Sequence, residues 1–167
     1  PGARLAIAPA IEDGFYYDID VEPPLTEEDL PRIEAEMGRI IQQNLPFTRR
    51  EAGKDEAIEH FRALGENYKV ELLEDLDTDA VTFYDHGDFT DLCRGPHVPA
   101  TGCIKAFKLL SLAGAYWRGD SNRPMLQRVY GTAFPKKADL DDYLQRLAEA
   151  EKRDHRKLGR QLDLFSF

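Results

Sequence analysis

The stretch AVTFYDHGDFTDLC, residues 80–93, decides the fold class of this sequence. It contains two short segments rich in β-branched and aromatic residues, AVTFYDH and FTDLC, which are separated by Gly87 and Asp88. Such segments, bounded by glycine and aspartate, are typical of β-strands joined by a turn. Because no helix intervenes between them, the two strands are expected to pair antiparallel.

More strands are predicted on both sides of this stretch. The same composition recurs along the chain and is interrupted by Gly, Asn, Asp or Pro. The additional predicted strands are RLAIA (4–8), GFYYDID (14–20), YKVELLE (68–74), IKAFKLLSL (104–112), AYWRGD (115–120) and MLQRVYGTAF (125–134).

Three segments show the spacing of apolar side chains that is typical of helices. The first begins at Thr26, where Asp29 completes a pattern similar to a capping box. The second covers DEAIEHFRAL (55–64), and the third begins at Lys137 and continues into a basic stretch. We therefore predict an α+β fold in which an antiparallel sheet has helices packed on one face and is followed by a long C-terminal linker helix.

Composition restricts the class of protein. The chain has 167 residues, of which 42% are hydrophobic, so it can bury one core. Its apolar runs are shorter than the roughly 18 to 20 residues that cross a bilayer. Two cysteines, Cys93 and Cys103, are too few for a disulfide framework, and we expect reduced thiols in a cytoplasmic protein.

The charge is unevenly distributed along the sequence. The net charge is −9, and the acidic excess lies in the first half while the second half is basic. A net acidic chain is a poor candidate for holding polyanions by bulk electrostatics. A local basic face can still position phosphates, so binding to nucleic acid stays open.

The segment DLCRGPHVPATG, residues 91–102, carries three reactive side chains on a turn that a glycine and a proline keep out of a helix. Cys93 and His97 can converge on one point, and Asp91 projects from the same side of its strand as Cys93. Two ligands do not make a zinc site, which needs three or four. From residue chemistry alone, an active site and a structural loop both remain open.

Four motifs spread along the chain carry a family resemblance: GFYYDID, DLCRGPHVPATG, LAGAYWRGDSNRPMLQRVYGTAF and EKRDHRKLGRQLDLF. Together they resemble the N-terminal editing domain of bacterial threonyl-tRNA synthetases, which is related to the editing domains of alanyl-tRNA synthetases. The resemblance covers essentially the whole chain. It implies post-transfer editing, in which the ester of mischarged seryl-tRNA(Thr) is hydrolysed, with the acceptor end of tRNA(Thr) as the partner.

The resemblance also implies the site residues. Lys69, Asp91 and His97 are expected to be catalytic: Asp91 holds the seryl ammonium or hydroxyl, Lys69 orients water or stabilises the oxyanion, and His97 shares the work of a general base. Cys93 and Tyr17 are expected to bind substrate, with Cys93 as a pocket wall because hydrolysis by water requires no acyl-enzyme. Without the resemblance, Tyr17 fits a core position equally well, and Lys69 reads as an exposed strand lysine.

Two departures from the family pattern affect the expected activity. The family places an H-x-x-x-H pair upstream of the segment where this chain begins, and the four histidines here contain no such pair. We therefore expect weak or absent hydrolysis from this piece alone. Ala8, counted among the substrate-binding residues, stands where the family has glycine, and its methyl group either narrows the pocket or points elsewhere.

No cofactor or metal is expected for editing. The alanyl-type relatives resemble zinc proteins, whereas the threonyl branch resembles a metal-independent hydrolase on the same scaffold. Zinc held by Cys93 and His97 is the alternative.

The alternative function is a non-catalytic module that binds the tRNA acceptor end. The residues expected to contact tRNA are Arg118, Arg123 and Arg128, which lie in GAYWRGDSNRPMLQR. Trp117 in the same stretch reads more simply as a core aromatic.

The expected domain organisation has two parts. Residues 1–135 form an editing domain whose N-terminal part is missing. Residues 136–167 form a linker helix toward catalytic and anticodon-binding domains that this chain lacks.

Overall fold

The computed structural model describes residues 2–153, which contain eight strands and four α-helices. In chain order these elements are β1 (Arg4–Leu5), β2 (Ala10–Ile11), β3 (Gly14–Asp20), α1 (Leu30–Gln42), β4 (Thr48–Gly53), α2 (Lys54–Ala63), α3 (Asn67–Glu74), β5 (Ala80–His86), β6 (Phe89–Leu92), β7 (Ala106–Tyr116), β8 (Met125–Phe134) and α4 (Lys137–Lys152). Short 3-10 helices cover Glu27–Asp29, Thr101–Cys103 and Trp117–Gly119.

The strands form two antiparallel sheets rather than the single sheet that the sequence predicted. The larger sheet has the order β1-β3-β8-β7, with β2 also paired to β3. The smaller sheet has the order β4-β5-β6. The α+β class and the antiparallel pairing are confirmed.

The smaller sheet carries helices on one face. Val81 and Phe83 of β5 pack with Ala57 and Phe61 of α2 and with Leu73 of α3 in a buried cluster. The neighbouring positions of β5 alternate to the opposite face, where Tyr84 lies directly across from Asp91 of β6. The helices therefore leave this second face of the sheet to the residues of the predicted site.

Helix α1 covers the larger sheet. Leu30 of α1 is buried against Leu109 of β7 and Val129 of β8. The predicted start of this helix is confirmed, because the Asp29 carboxylate accepts hydrogen bonds from the Thr26 amide at 2.9 Å and from the Thr26 hydroxyl at 3.0 Å.

A second residue of α1, Glu34, binds the strand β7. Its carboxylate accepts hydrogen bonds from the Leu109 amide at 2.7 Å and from Lys108 Nζ at 2.8 Å. The register of β7 against β8 shifts between Leu109 and Ser111. Strand β7 is an edge strand of the sheet, and Glu34 thus accepts a hydrogen bond from its backbone next to this register shift.

The predicted strand 68–74 is wrong, because these residues form helix α3. Val70 and Leu73 face one buried cluster, while Tyr68 and Leu72 face another. These pairs are three and four residues apart, which is the spacing of helix faces. Lys69 is therefore on a helix, and it is buried, with 4% of its surface exposed.

Two other predicted strands also differ from the structure. Segment 115–120 ends β7 at Tyr116 and then turns through the 3-10 helix, in which Arg118 has a φ of 55°. Of segment 4–8, only Arg4–Leu5 is strand.

The C-terminal helix is confirmed as far as the structure describes it. Leu140 of α4 is buried, and Tyr143 packs on Phe134 with a distance of 5.2 Å between ring centroids. Residues 154–167 of the predicted linker helix lie outside the described residues. Within residues 2–153, no helix has the length and apolar character required to span a membrane.

Candidate functional site

Lys69, Asp91 and Tyr17 form a group held by an ion pair and a hydrogen bond between α3, β6 and β3. Lys69 Nζ lies 2.6 Å from Asp91 Oδ1, and the Tyr17 hydroxyl donates to Asp91 Oδ2 at 2.8 Å. The Lys69 ammonium also lies 5.8 Å from the centroid of the Tyr17 ring. The structure therefore brings together three of the predicted site residues, which are up to 74 positions apart in the sequence.

The electrostatics of this group are those of a desolvated ion pair. The side chains of Lys69 and Asp91 are 5% and 18% exposed. Burial raises the pKa of Tyr17 well above its ordinary value, and the adjacent Asp91 carboxylate raises it further. At neutral pH Tyr17 is therefore a neutral hydrogen-bond donor.

Local backbone contacts fix the position of Lys69. Gly65, with a φ of 74°, ends α2 and allows the chain to reverse into α3. The Glu66 carboxylate then accepts a hydrogen bond from the Leu5 amide at 2.8 Å, which ties the start of α3 to β1. Lys69 is thus presented by a short helix that is anchored to the larger sheet.

Asp91 is held by its own strand. Its Oδ1 accepts a hydrogen bond from the following amide, that of Leu92, at 2.7 Å. With the Lys69 ammonium as ion-pair partner and Tyr17 as donor, the carboxylate has three polar partners among the described residues. Two carboxylate oxygens can accept about four hydrogen bonds, so one acceptor position remains for a ligand.

The turn after β6 carries Cys93 and His97. The Cys93 amide donates to the Thr82 carbonyl at 3.1 Å, and the Gly95 amide donates to Cys93 Sγ at 3.3 Å. Gly95 has a φ of 75°, and its peptide bond to Pro96 is cis. Cys93 and Cys103 are both free cysteines and are exposed.

His97 lies on aromatic side chains rather than in the hydrogen-bonded group. Its ring stacks on Tyr84, with 4.1 Å between centroids and an interplanar angle of 22°. Phe47 packs at 5.0 Å. The residue as a whole is exposed, but desolvation of the ring lowers the pKa of His97, as does nearby His86, while Asp91 opposes this change. The imidazole is therefore neutral at pH 7.

A cavity of about 530 Å³ opens between α3, β5 and the end of β6. It reaches the predicted site at Cys93, whereas Lys69, Asp91 and His97 do not line it. Its walls include Leu72, Leu76 and Thr82. Cys93 is thus a wall residue of this cavity, and the cavity does not contain the ion pair.

Ala8 lies in the connection between β1 and β2, and it is exposed. The carbonyl of the next residue, Pro9, accepts a hydrogen bond from the Tyr16 amide at 3.3 Å. The connection is therefore held against β3 one residue before Tyr17. Its predicted role in substrate binding stays a prediction.

The predicted tRNA contacts Arg118 and Arg123 are paired with acids in α3 and just after its end. Both guanidinium groups contact the Glu71 carboxylate, and Arg118 also contacts Asp75. Trp117, which is 3% exposed, donates from Nε1 to the same Glu71 carboxylate at 3.0 Å. Trp117 is a core aromatic, as its simpler interpretation predicted.

Arg128 forms a bidentate ion pair with Asp18. Its Nε and Nη2 atoms donate to the two carboxylate oxygens at 2.7 and 2.8 Å, and its guanidinium lies 3.8 Å from the centroid of the Tyr16 ring. The side chain of Asp18 is 4% exposed. This pair joins β3 to β8, and the hydrogen bond to Asp18 raises the pKa of Arg128.

Tyr84 and Glu71 were not predicted to matter. Tyr84 contacts His97, and Glu71 joins α3 to the turn 117–123. The available signal for Tyr84 was its position in a strand facing Asp91 across a short hairpin. No signal in the sequence pointed to Glu71, because its segment was predicted to be a strand.

Residues 81–130 match the family model described as the threonyl and alanyl tRNA synthetase second additional domain. They contain β6, the turn with Cys93 and His97, and most of the β7–β8 hairpin. This part of the chain is therefore similar to that synthetase domain.

Over its whole length the chain is similar to threonine--tRNA ligases. It is 62% identical to that of Citrifermentans bemidjiense over 100% of the chain, 60% identical to that of Desulforamulus reducens over 99%, and 61% identical to that of Thermotoga neapolitana over 97%. The chain spans about a quarter of the length of these relatives, between 25% and 26%. The resemblance to threonyl-tRNA synthetases is confirmed.

Proposed function

We propose that this chain is the editing module of a threonyl-tRNA synthetase and that, within that synthetase, it hydrolyses the ester of seryl-tRNA(Thr). The observation that carries the proposal is the buried group of Lys69, Asp91 and Tyr17. Ester hydrolysis by water needs a donor for the developing oxyanion, an acceptor for the substrate ammonium and a base for the water. The side chains in and beside this group are of the required types.

Lys69 and Asp91 divide the charged roles. An ammonium has three N–H donors, and Asp91 is the ion-pair partner of Lys69 among the described residues. The remaining donors can orient water and bind the oxyanion in a desolvated site, where such bonds are strong. The free acceptor position of Asp91 suits the seryl ammonium.

His97 supplies the base in this proposal. A neutral imidazole at pH 7 can accept the proton of an attacking water. The lowered pKa of His97 keeps that form populated. Cys93 forms a wall and needs no nucleophilic role, because water attacks the ester directly.

Discrimination between serine and threonine rests on a methyl group. Losing one methyl from a binding pocket changes affinity by about 1 to 3 kcal/mol, or roughly 10- to 200-fold. A second site that admits serine and excludes threonine multiplies this selectivity. Cys93 and Ala8 are the side chains that we assign to the limits of that pocket.

The ion pairs of the three arginines weigh against the alternative function, a non-catalytic module that binds tRNA. Arg118 and Arg123 share Glu71, and Arg128 is committed to Asp18. A phosphate must therefore compete with a protein carboxylate for each guanidinium. We retain a tRNA acceptor end as the partner of the editing reaction.

The test compares deacylation of seryl-tRNA(Thr) and threonyl-tRNA(Thr) by the synthetase that contains this chain. We expect selective loss of the seryl ester, and Lys69→Ala should reduce the rate by about 10²- to 10³-fold, the effect of removing one oxyanion donor. Lys137→Ala, at an exposed lysine of α4, is the matched control. Equal hydrolysis of both esters, or tRNA binding without turnover, would overturn the proposal.

We further propose that the hydrolysis is independent of metal. In the alternative, Cys93 and His97 would hold zinc, but a zinc site needs three or four ligands, and no group of three His, Cys, Asp or Glu side chains within residues 2–153 could hold a metal ion. Activity that survives chelation supports our proposal. Stoichiometric zinc that is lost together with activity on chelation contradicts it.

A further inference from the structure

We propose that Tyr84 is a positioning residue that holds the His97 imidazole beside Asp91. This inference rests on the proposed function, in which His97 and Asp91 act on one substrate. The structure links the two residues through the Tyr84 ring rather than by a direct hydrogen bond.

The first contact of Tyr84 is across the sheet. Tyr84 of β5 and Asp91 of β6 are directly opposite in the antiparallel register. Opposite residues project from the same face, with β-carbons about 4.5 to 5.5 Å apart. The position of Tyr84 relative to the carboxylate is therefore fixed by the hairpin itself.

The second contact is with the imidazole. The rings of Tyr84 and His97 are nearly parallel, at 22°, and their centroids are 4.1 Å apart. Among the described residues, Phe47 is the other aromatic side chain against His97, and it is tilted by 45°. Because the imidazole has no hydrogen-bonding partner in the described part of the chain, stacking sets its orientation.

The third contact is with the turn that carries His97. Gly95 lies so close to Tyr84 that a β-carbon at position 95 would overlap the tyrosine hydroxyl. Gly95 also has a φ of 75°, a conformation that glycine adopts without strain. The turn thus packs against Tyr84 at Gly95, two residues before His97.

These contacts together make Tyr84 a support for a side chain that is otherwise at the surface. His97 is exposed, and an exposed imidazole samples several rotamers. A displacement of about 1 Å in a catalytic group can lower a rate by about 10²-fold. Loss of the aromatic ring at position 84 should therefore reduce turnover without affecting the Lys69–Asp91 pair.

The experiment has a spectroscopic arm that is independent of hydrolysis. The chain is labelled with ¹³C-histidine, and the His97 ring signals are assigned by their absence in His97→Ala. Stacking on Tyr84 should shift these signals upfield. Tyr84→Phe should retain the shift, whereas Tyr84→Leu should abolish it. Tyr84→Met provides a second non-aromatic variant if Tyr84→Leu does not fold.

The kinetic arm uses the intact synthetase and seryl-tRNA(Thr). We expect Tyr84→Phe to keep the rate within about threefold, and Tyr84→Leu to lower kcat by about 10²-fold with KM nearly unchanged. The control is Tyr143→Leu, which removes a tyrosine of α4 that packs on Phe134 of β8. The double variant Tyr84→Leu with His97→Ala should be no slower than His97→Ala.

The two arms separate the failure of this inference from the failure of the proposed function. If the His97 signals stay in place in Tyr84→Leu, Tyr84 does not position His97 and the inference is overturned. If wild-type protein does not hydrolyse the seryl ester, the proposed function fails, and the histidine signals still decide whether Tyr84 holds His97. A kcat of Tyr84→Leu equal to that of wild type also overturns the positioning role.

Discussion

Lys69 and Asp91 are charged groups in a place where charges are costly. Removing two ions from water carries a penalty of several kcal/mol for each, which their attraction offsets only when the remaining polar atoms are also satisfied. Asp91 meets this condition through Tyr17 and the Leu92 amide. The pair is thus weak evidence for stability and stronger evidence for a site, because shielded charges of this kind are suited to catalysis.

Lys69→Met should destabilise the chain by about 3 kcal/mol, since it leaves a largely buried carboxylate without its cation. Urea unfolding measures the change. The control is Lys137→Met, which breaks an exposed pair with Asp141 and should change stability by less than about 0.5 kcal/mol. Similar losses of stability in the two variants would show that the buried ion pair contributes no more than an exposed one.

Tyr17 should make the protein sensitive to alkali. The pKa of Tyr17 is raised in the folded state, so its contribution to stability is fully present below about pH 10. That contribution is lost above this pH, because Tyr17 ionises first in the unfolded chain. Near pH 11 the loss attributable to Tyr17 should be about 1 kcal/mol. Unfolding of wild type and Tyr17→Phe from pH 9 to 11 should show a steeper decline for wild type; parallel curves would contradict this.

The sequence identified the site residues unequally. Asp91, Cys93 and His97 are within one turn, so their chemistry was visible in the sequence itself. Lys69 and Tyr17 are distant from that turn, and residue chemistry alone favoured an exposed lysine and left the tyrosine undecided. Only the family resemblance selected them, because tertiary packing brings them to Asp91.

At the scale of elements, helix α3 joins the parts of the site. Its Glu66 binds β1, its Lys69 binds Asp91, and its Glu71 binds Trp117 and two arginines. Its sequence, NYKVELLE, was predicted as a strand because eight residues contain little more than two helical turns. A β-branched and an aromatic residue then resemble strand composition, and the helix is stabilised by packing rather than propensity.

The turn 93–97 allows a comparison between two glycines with nearly equal φ. Gly65 has a φ of 74° with open space around it, whereas Gly95 has a φ of 75° and lies against Tyr84. Gly65→Ala should cost about 1 kcal/mol for the left-handed conformation. Gly95→Ala should cost at least about 1 kcal/mol more, because the methyl group must displace the tyrosine.

Unfolding by urea of the two glycine variants measures this difference. The His97 ring signals should also move in Gly95→Ala and remain in place in Gly65→Ala. Equal stability of both variants would show that the turn does not depend on its contact with Tyr84.

At the scale of the whole molecule, two sheets share α3. Leu73 belongs to the cluster under the smaller sheet, and Tyr68 belongs to the cluster that contains Trp117 beside the larger sheet. An eight-residue helix cannot remain folded without its packing partners. The two sheets should therefore unfold together.

Leu73→Ala tests this cooperativity. Leu73 is fully buried, so the substitution should cost about 3 kcal/mol. Trp117 is the single tryptophan, and its fluorescence reports on the other cluster. We expect the fluorescence midpoint to move with the circular dichroism midpoint. Leu64→Ala, at a 61% exposed position, should change the free energy of unfolding from either probe by less than about 0.5 kcal/mol. A tryptophan transition that Leu73→Ala leaves unchanged would show independent sheets.

The sequence predicted the class of the whole molecule but not its division into two sheets. Strands β3 and β8 were placed at their observed bounds, because alternating aromatic residues and flanking glycine or proline mark them clearly. Strand pairing between distant segments leaves no such mark. The order β1-β3-β8-β7, which places the first and last strands of the described chain in one sheet, follows from packing.

The carboxylate of Glu34 has a consequence for solubility. Strand β7 has eleven residues and is an edge strand of its sheet. A long edge strand can act as a template for aggregation by strand addition. Glu34 already occupies the Leu109 amide, and its ion pair with Lys108 places two charged side chains at the middle of that edge. An intruding chain would have to displace it, so this fold contains its own protection against fibril-like growth.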